Sequence, residues 1–148
     1  MKFQGHTRRN IDDKGRLMLP PDFRDRILAE EPDGRIVFTL FEKHVIGMSP
    51  EQWTETEREI NKVKTPSKEL QLVKRILFSG YEEVVLDKQG RVQLPTHLRK
   101  SGRLDKEVVV FGVDRRFEIW AAPEFEDMLG QDFDVSQELA DSGVELPF

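Results

Sequence analysis

The sequence predicts an α+β fold of two tandem halves, each made of short strands and short helices, joined by a helical bridge. Three observations predict it. One motif occurs twice, at residues 12–24 and 87–99. Strand-like runs follow both copies at matching distances, and helical signals fill the region between them. With 37 % hydrophobic residues, neither half can build a large core, so we expect the halves to pack on each other and the chain to pack on copies of itself.

The repeat is read directly from two segments, DDKGRLMLPPDFR and DKQGRVQLPTHLR, at a constant offset of 75 residues. Such similarity indicates two homologous halves in one chain. The shared positions pair Asp12 with Asp87, Gly15 with Gly90, Arg16 with Arg91, Leu19 with Leu94, Pro20 with Pro95 and Arg24 with Arg99.

Each copy of the motif has the composition of a tight turn between two strands. Gly15 and Gly90 occupy the position where positive φ is needed, so the pattern predicts a hairpin in each half. The run 78–86, beginning at Phe78, is expected to be the first strand of the second half. The strand after each turn, which we call the return strand, covers 16–19 in the first half and 91–94 in the second. Each return strand ends at a proline that begins a short helix.

Two further strands are expected in each half, followed by a helical region. The strands are 35–40 and 44–48, then 107–111 and 116–120. Ser49 and Gln52 form a capping-box pattern that begins one bridge helix, and Pro66 begins another. We expect Pro123 to begin a short helix ending near Gly130. The predicted domains are 1–53, a helical bridge 54–77, a second half 78–130 and an acidic tail 131–148.

Charge is unevenly distributed along the chain. The net charge is −5, yet from Glu118 onwards there are nine acidic residues and no Lys or Arg. Residues 1–117 therefore carry 23 basic and 19 acidic residues, a net +4. Salt screens exposed charges from one another beyond about 8 Å. A basic surface within residues 1–117 can therefore bind phosphate although the whole chain is acidic.

Several functional classes are not expected. The chain has no cysteine, which excludes disulfides and thiolate chemistry, and its three histidines lack a metal-ligand spacing. We find no pairing of nucleophile with base and no phosphate-cradling glycine loop, so we expect no enzyme, cofactor or metal. No apolar run approaches the roughly 18 residues of a membrane span, and a cytoplasmic protein is expected.

The doubled motif, the FQG and FSG segments before it and the run FGVDRRFEIW resemble the MraZ family, whose halves are swapped-hairpin β-barrels of the AbrB type. The resemblance implies that one chain supplies both barrel halves. It also implies a bacterial transcriptional regulator of the division and cell-wall gene cluster, nucleoid-associated, which binds direct repeats in promoter double-stranded DNA as a closed ring homo-oligomer.

The resemblance places the DNA-binding surface on the two turns. Asp12 with Arg16 and Asp87 with Arg91 match the family's acidic and basic pair, and the first half is expected to be the main DNA face. An arginine at this position in the turn either binds phosphate or guanine in DNA, or forms an ion pair that fixes the turn. The expected DNA-binding residues are Arg16, Lys14, Arg8, Arg9, Arg91 and Lys88, with Asp12, Gly15, Asp87 and Gly90 supporting them, whereas Arg24 and Arg99 are interpreted as structural.

An alternative function is a protein-binding or scaffold module. AbrB-like barrels also serve as antitoxin components whose acidic tails occupy a toxin, and the acidic segment 131–148 favours this interpretation.

Overall fold

The computed structural model describes residues 2–148. It is a mixed α+β structure with eight strands and six helices among those residues, which confirms the predicted fold class. The strands are β1 (His6–Asn10), β2 (Arg16–Met18), β3 (Arg35–Phe41), β4 (His44–Met48), β5 (Glu82–Val85), β6 (Arg91–Gln93), β7 (Glu107–Val113) and β8 (Arg116–Ala121). The helices are α1 (Pro21–Glu30), α2 (Pro50–Ile60), α3 (Lys68–Gly80), α4 (Thr96–Ser101), α5 (Ala122–Leu129) and α6 (Ser136–Asp141).

The strands of the two halves exchange partners. Six strands form one antiparallel sheet in the order β1-β7-β8-β4-β3-β5, and β2 pairs with β6 in a separate two-stranded ribbon. The hairpins predicted from the turns are therefore wrong in their pairing, because β1 pairs with β7 rather than with β2. The swapped arrangement implied by the resemblance is confirmed, with one chain supplying both halves.

The main hydrophobic core joins the two halves. Phe117 of β8 contacts the rings of Phe3, Phe23 and Phe38, with centroids 5.2 to 5.8 Å away. All four side chains are essentially buried. Because three of these rings come from the first half and one from the second, neither half has this core without the other.

The opposite face of the six-stranded sheet is covered by helices. Helices α2 and α3 pack on Val37, Ile46 and Met48, while α5 packs on Val109 and Phe111. These helices therefore lie on the other side of the sheet from the main core and the ribbon.

Helix ends follow the local sequence closely. Ser49 Oγ accepts a hydrogen bond from Gln52 N at 3.1 Å, which confirms the predicted cap of α2. Helix α5 ends before Gly130 as expected. The second bridge helix instead begins after Ser67, whose hydroxyl caps it, and it continues to Gly80. Phe78, predicted to begin a strand, is thus helical, and the strand starts only at Glu82.

Candidate nucleic-acid interface

The first turn is organised by the carboxylate of Asp12. Its Oδ1 accepts hydrogen bonds from the backbone N–H of Lys14 at 2.9 Å and of Arg16 at 2.8 Å, and its Oδ2 accepts from Arg16 Nε at 2.7 Å. Gly15 has φ 79° and donates its N–H to Asp12 O at 2.9 Å. One carboxylate therefore fixes both the loop backbone and the direction of the arginine.

The second turn repeats this geometry. Asp87 Oδ1 accepts from the backbone N–H of Gln89 and of Arg91, both at 2.9 Å, and Oδ2 accepts from Arg91 Nε at 2.8 Å. Gly90 has φ 82°, as its expected turn position requires. The two predicted aspartate and arginine pairs are formed, so the ion-pair interpretation describes both turns.

These hydrogen bonds also set the ionisation of the two aspartates. The backbone N–H of Arg16 is the largest cause that lowers the pKa of Asp12, and the Arg16 guanidinium lowers it further. The backbone N–H of Arg91 lowers the pKa of Asp87 in the same way. Both carboxylates are thus charged at neutral pH and hold their arginines across the physiological range.

The β2–β6 ribbon brings the two arginines onto one face. Leu17 and Val92 are paired and point into the core, so their neighbours along each strand point outwards. Arg16 lies opposite Gln93, and Arg91 lies opposite Met18. The arginines are thus two residues apart in register, about 7 Å along the ribbon. Their side chains are 32 % and 26 % exposed.

Each turn is also contacted by the other half. Leu94 N donates to Gly15 O at 2.9 Å, and Leu19 N donates to Gly90 O at 3.1 Å, so each return strand extends along the opposite turn. Arg99 Nε donates to Leu94 O at 3.1 Å. This contact lies within the second half and agrees with the structural interpretation of Arg99.

The lysines and the remaining arginines differ in their placement. Lys14 and Lys88 are exposed in the two turns, beside the ribbon arginines. Arg8 lies on the edge strand β1 opposite Val109, on the side of α5, where it forms an ion pair with Glu126. Arg9 is opposite Val108, and its Nε is buried without a hydrogen-bond partner. The structure therefore groups four of the six predicted residues at the ribbon, and it places Arg8 on the α5 side of the sheet and Arg9 on the side of the main core.

Sequence reasoning missed two glutamines at this surface. Gln93 Nε2 donates to Lys14 O at 2.6 Å, and Gln89 Oε1 accepts from Arg91 Nη2 at 2.9 Å. The alternation of β6 placed Gln93 on the outward face, but its partner lies 79 positions earlier in the chain, beyond the reach of local patterns.

Among residues 2–148, no group of three or more His, Asp or Glu side chains is arranged to hold a metal ion. Over that same range, no helix combines the length and the apolar character needed to cross a bilayer.

The fold and this surface define a tandem-repeat protein with swapped halves and a doubled arginine turn, the arrangement of a class of transcriptional regulators. A family model described as "MraZ protein, putative antitoxin-like" matches residues 2–76 and again 77–142. The chain belongs to the MraZ family, whose members are transcriptional regulators and not enzymes.

Individual relatives agree along the whole chain. The chain is 53 % identical to a transcriptional regulator MraZ of Maridesulfovibrio salexigens, with 100 % of both chains covered. It is 44 % identical to one from Oleidesulfovibrio alaskensis, with 99 % of each covered. It is 38 % identical to one from Moorella thermoacetica, with 97 % of this chain and 98 % of the relative covered.

Proposed function

We propose that this protein is a sequence-specific DNA-binding transcriptional regulator that reads repeated promoter elements through the β2–β6 ribbon. The observation that carries the proposal is the presence of Arg16 and Arg91 on one exposed face, each aimed by an ionised aspartate. An arginine so oriented offers a planar donor fork to phosphate or to guanine O6 and N7.

The size of the ribbon suits a DNA groove. The major groove of B-form DNA is about 12 Å wide and admits a two-stranded β-ribbon. Strands in a ribbon lie about 4.8 Å apart, so β2 and β6 fit side by side. Lys14 and Lys88, in the turns next to the arginines, then face the phosphate backbones on either side.

A single ribbon makes few contacts, and specific binding normally buries more surface than one small module offers. A closed ring of identical subunits presents the same ribbon repeatedly, and direct repeats in a promoter engage neighbouring subunits. Weak contacts then combine through effective concentration. We expect the targets to be the promoters of the division and cell-wall gene cluster, and we expect the protein to act in the cytoplasm at the nucleoid.

The test is a salt-series binding titration against a duplex from upstream of the protein's own coding region and against a scrambled duplex. The wild type is expected to prefer the first duplex, with affinity decreasing as salt increases. Arg16→Ala should abolish that preference. Arg58→Ala, an exposed arginine on α2 on the other side of the sheet, is the matched control and should bind as the wild type does. Equal binding of both duplexes by the wild type would refute the proposal.

A second candidate is protein binding by the tail. Helix α6 has no buried residue, and the tail exposes Phe133 at 75 % and Phe148 at 100 %. Residues 131–148 also carry five carboxylates and no basic residue. Exposed apolar groups among acidic ones fit a basic, apolar partner surface, as in an antitoxin-like or scaffold module. Removal of 131–148 that leaves DNA binding intact but abolishes a partner complex would support this function.

A further inference from the structure

The two turns share their aspartate geometry but differ in what holds the arginine. Gln89 Oε1 accepts a hydrogen bond from Arg91 Nη2 at 2.9 Å, in addition to the bond from Nε to Asp87. The matching position in the first turn is Lys14, an ammonium side chain that cannot accept a hydrogen bond. Within residues 2–148, no group accepts a hydrogen bond from either Nη atom of Arg16.

The ribbon strands add a second difference. Gln93 Nε2 donates to the Lys14 carbonyl at 2.6 Å and so ties the first turn to β6. The residue at the equivalent place in β2 is Met18, which has no N–H to offer the second turn. The first turn therefore has a fixed backbone and an arginine with a free end, whereas the second has an arginine held at both Nε and Nη2.

We infer that Gln89 is a positioning residue and that it gives the two turns different roles: Arg16 reads a base pair, and Arg91 contacts the phosphate backbone. The inference rests on the proposed DNA-binding function. End-on recognition of guanine needs both Nη groups of one arginine, and those of Arg16 are free while its Nε stays on Asp12. Arg91 must share Nη2 with Gln89 or displace it, and that competition weakens base reading at this end.

Because the two turns have different roles, the two ends of the ribbon are not equivalent in DNA binding. Two equal turns related by the internal repeat would read the two ends of a symmetric site in the same way. Unequal turns read one end by its bases and the other by its backbone, so the element bound by one chain is asymmetric. Copies arranged head to tail in a ring then match elements repeated in one orientation.

The test begins with duplexes enriched from a randomised library by the full-length protein, followed by a series of single base-pair substitutions in the enriched element. Arg16→Ala should remove discrimination at one or two base pairs, by roughly 5- to 150-fold each, the range of a bidentate contact. Arg91→Ala should weaken binding to every duplex by a similar factor and lower the salt dependence by about one phosphate contact.

Gln89→Lys makes the second turn resemble the first and tests the positioning role itself. It should release Arg91 Nη2 and create discrimination at a further base pair, while the thermal midpoint of unfolding stays that of the wild type. Gln131→Lys makes the same exchange at an exposed residue shortly after α5, away from the ribbon, and is the matched control that should leave the base profile unchanged.

Two results would overturn the inference while leaving the DNA-binding proposal in place. In the first, Arg91→Ala removes base discrimination as Arg16→Ala does. In the second, a folded Gln89→Lys variant shows the wild-type base profile. Failure of the wild type to enrich any sequence would refute the DNA-binding proposal, and this inference with it.

Discussion

Arg99, in the second half, lies across Gly15, in the first. A Cβ placed on Gly15 would come within 2.8 Å of Arg99 Cζ and 2.9 Å of Gln93 Nε2. The relationship is reciprocal, since a Cβ on Gly90 would come within 2.9 Å of Arg24 Cδ. An arginine side chain from the other half therefore packs against the glycine of each turn. The shape of the candidate DNA-binding surface thus depends on how the halves pack.

Gly15→Ala should destabilise the protein and disturb this surface. Alanine at a φ of 79° costs about 1 to 2 kcal/mol, and the new methyl group would also displace the Arg99 guanidinium. The free energy of unfolding from chemical denaturation measures the effect. Gly5→Ala is the control, because Gly5 has φ 83° and a Cβ there would meet nothing within 4 Å. An equal loss in both variants would show that only backbone strain matters at Gly15.

The ion pairs of the turns should persist into acid. Because hydrogen bonds lower the pKa of Asp12, the stabilisation that they give is complete above the ordinary aspartate pKa of about 3.9 and is lost as pH falls through the lower folded-state value. The Nε–H resonance of Arg16 in NMR spectra should stay constant from pH 7 to about 4.5 and move only below that. A change centred near pH 5 or above would contradict the geometry of this turn.

Local features of the fold could be predicted from the sequence because they depend on neighbouring residues. Gly15 and Gly90 adopt positive φ as expected, and Ser49 caps α2 as expected. The doubled motif also indicated correctly that Asp12 and Asp87 occupy equivalent positions. In each case the contacts span four residues or fewer, so the chain pattern alone carries the information.

The remainder depends on contacts between distant segments. A strand pattern does not state its partner, so the pairing of β1 with β7 could be expected only from the resemblance. Phe3 and Phe78 begin the FQG and FSG segments, yet Phe3 is buried and Phe78 lies on a helix, 36 % exposed. For the same reason, nothing local indicated that Arg8 pairs with Glu126 and lies away from the ribbon.

Phe117→Ala should be among the most damaging single changes. The ring is fully buried and contacts three phenylalanines of the other half, so its removal leaves a cavity in the shared core. A loss of about 3 to 5 kcal/mol in the free energy of unfolding is expected. Phe133→Ala, at an exposed tail residue, is the control and should change this free energy by less than about 0.5 kcal/mol. A small loss for Phe117→Ala would mean that the halves do not share one core.

His44 should make stability depend on pH near neutrality. Its ring stacks on Trp120 with centroids 3.5 Å apart, and its Nδ1 is buried and without a hydrogen bond, 3.5 Å from Glu124 Oε2. Burial lowers the pKa of His44, and Arg103 lowers it further, although the carboxylates of Glu124, Glu118 and Glu42 oppose the shift. The folded protein therefore binds fewer protons here than the unfolded chain does.

The sign of that pH dependence follows from the lowered pKa. The contribution of His44 to stability is complete above the ordinary histidine pKa of about 6.5 and is lost as pH falls through the lower folded-state value. The thermal midpoint should thus rise between pH 5 and 7, and His44→Phe, which keeps an aromatic ring against Trp120, should remove part of that rise. His97→Ala, at an exposed position of α4, should retain it. If His44→Phe keeps the full rise, the carboxylates around His44 outweigh its burial, and the pKa of His44 is not lowered in the folded protein.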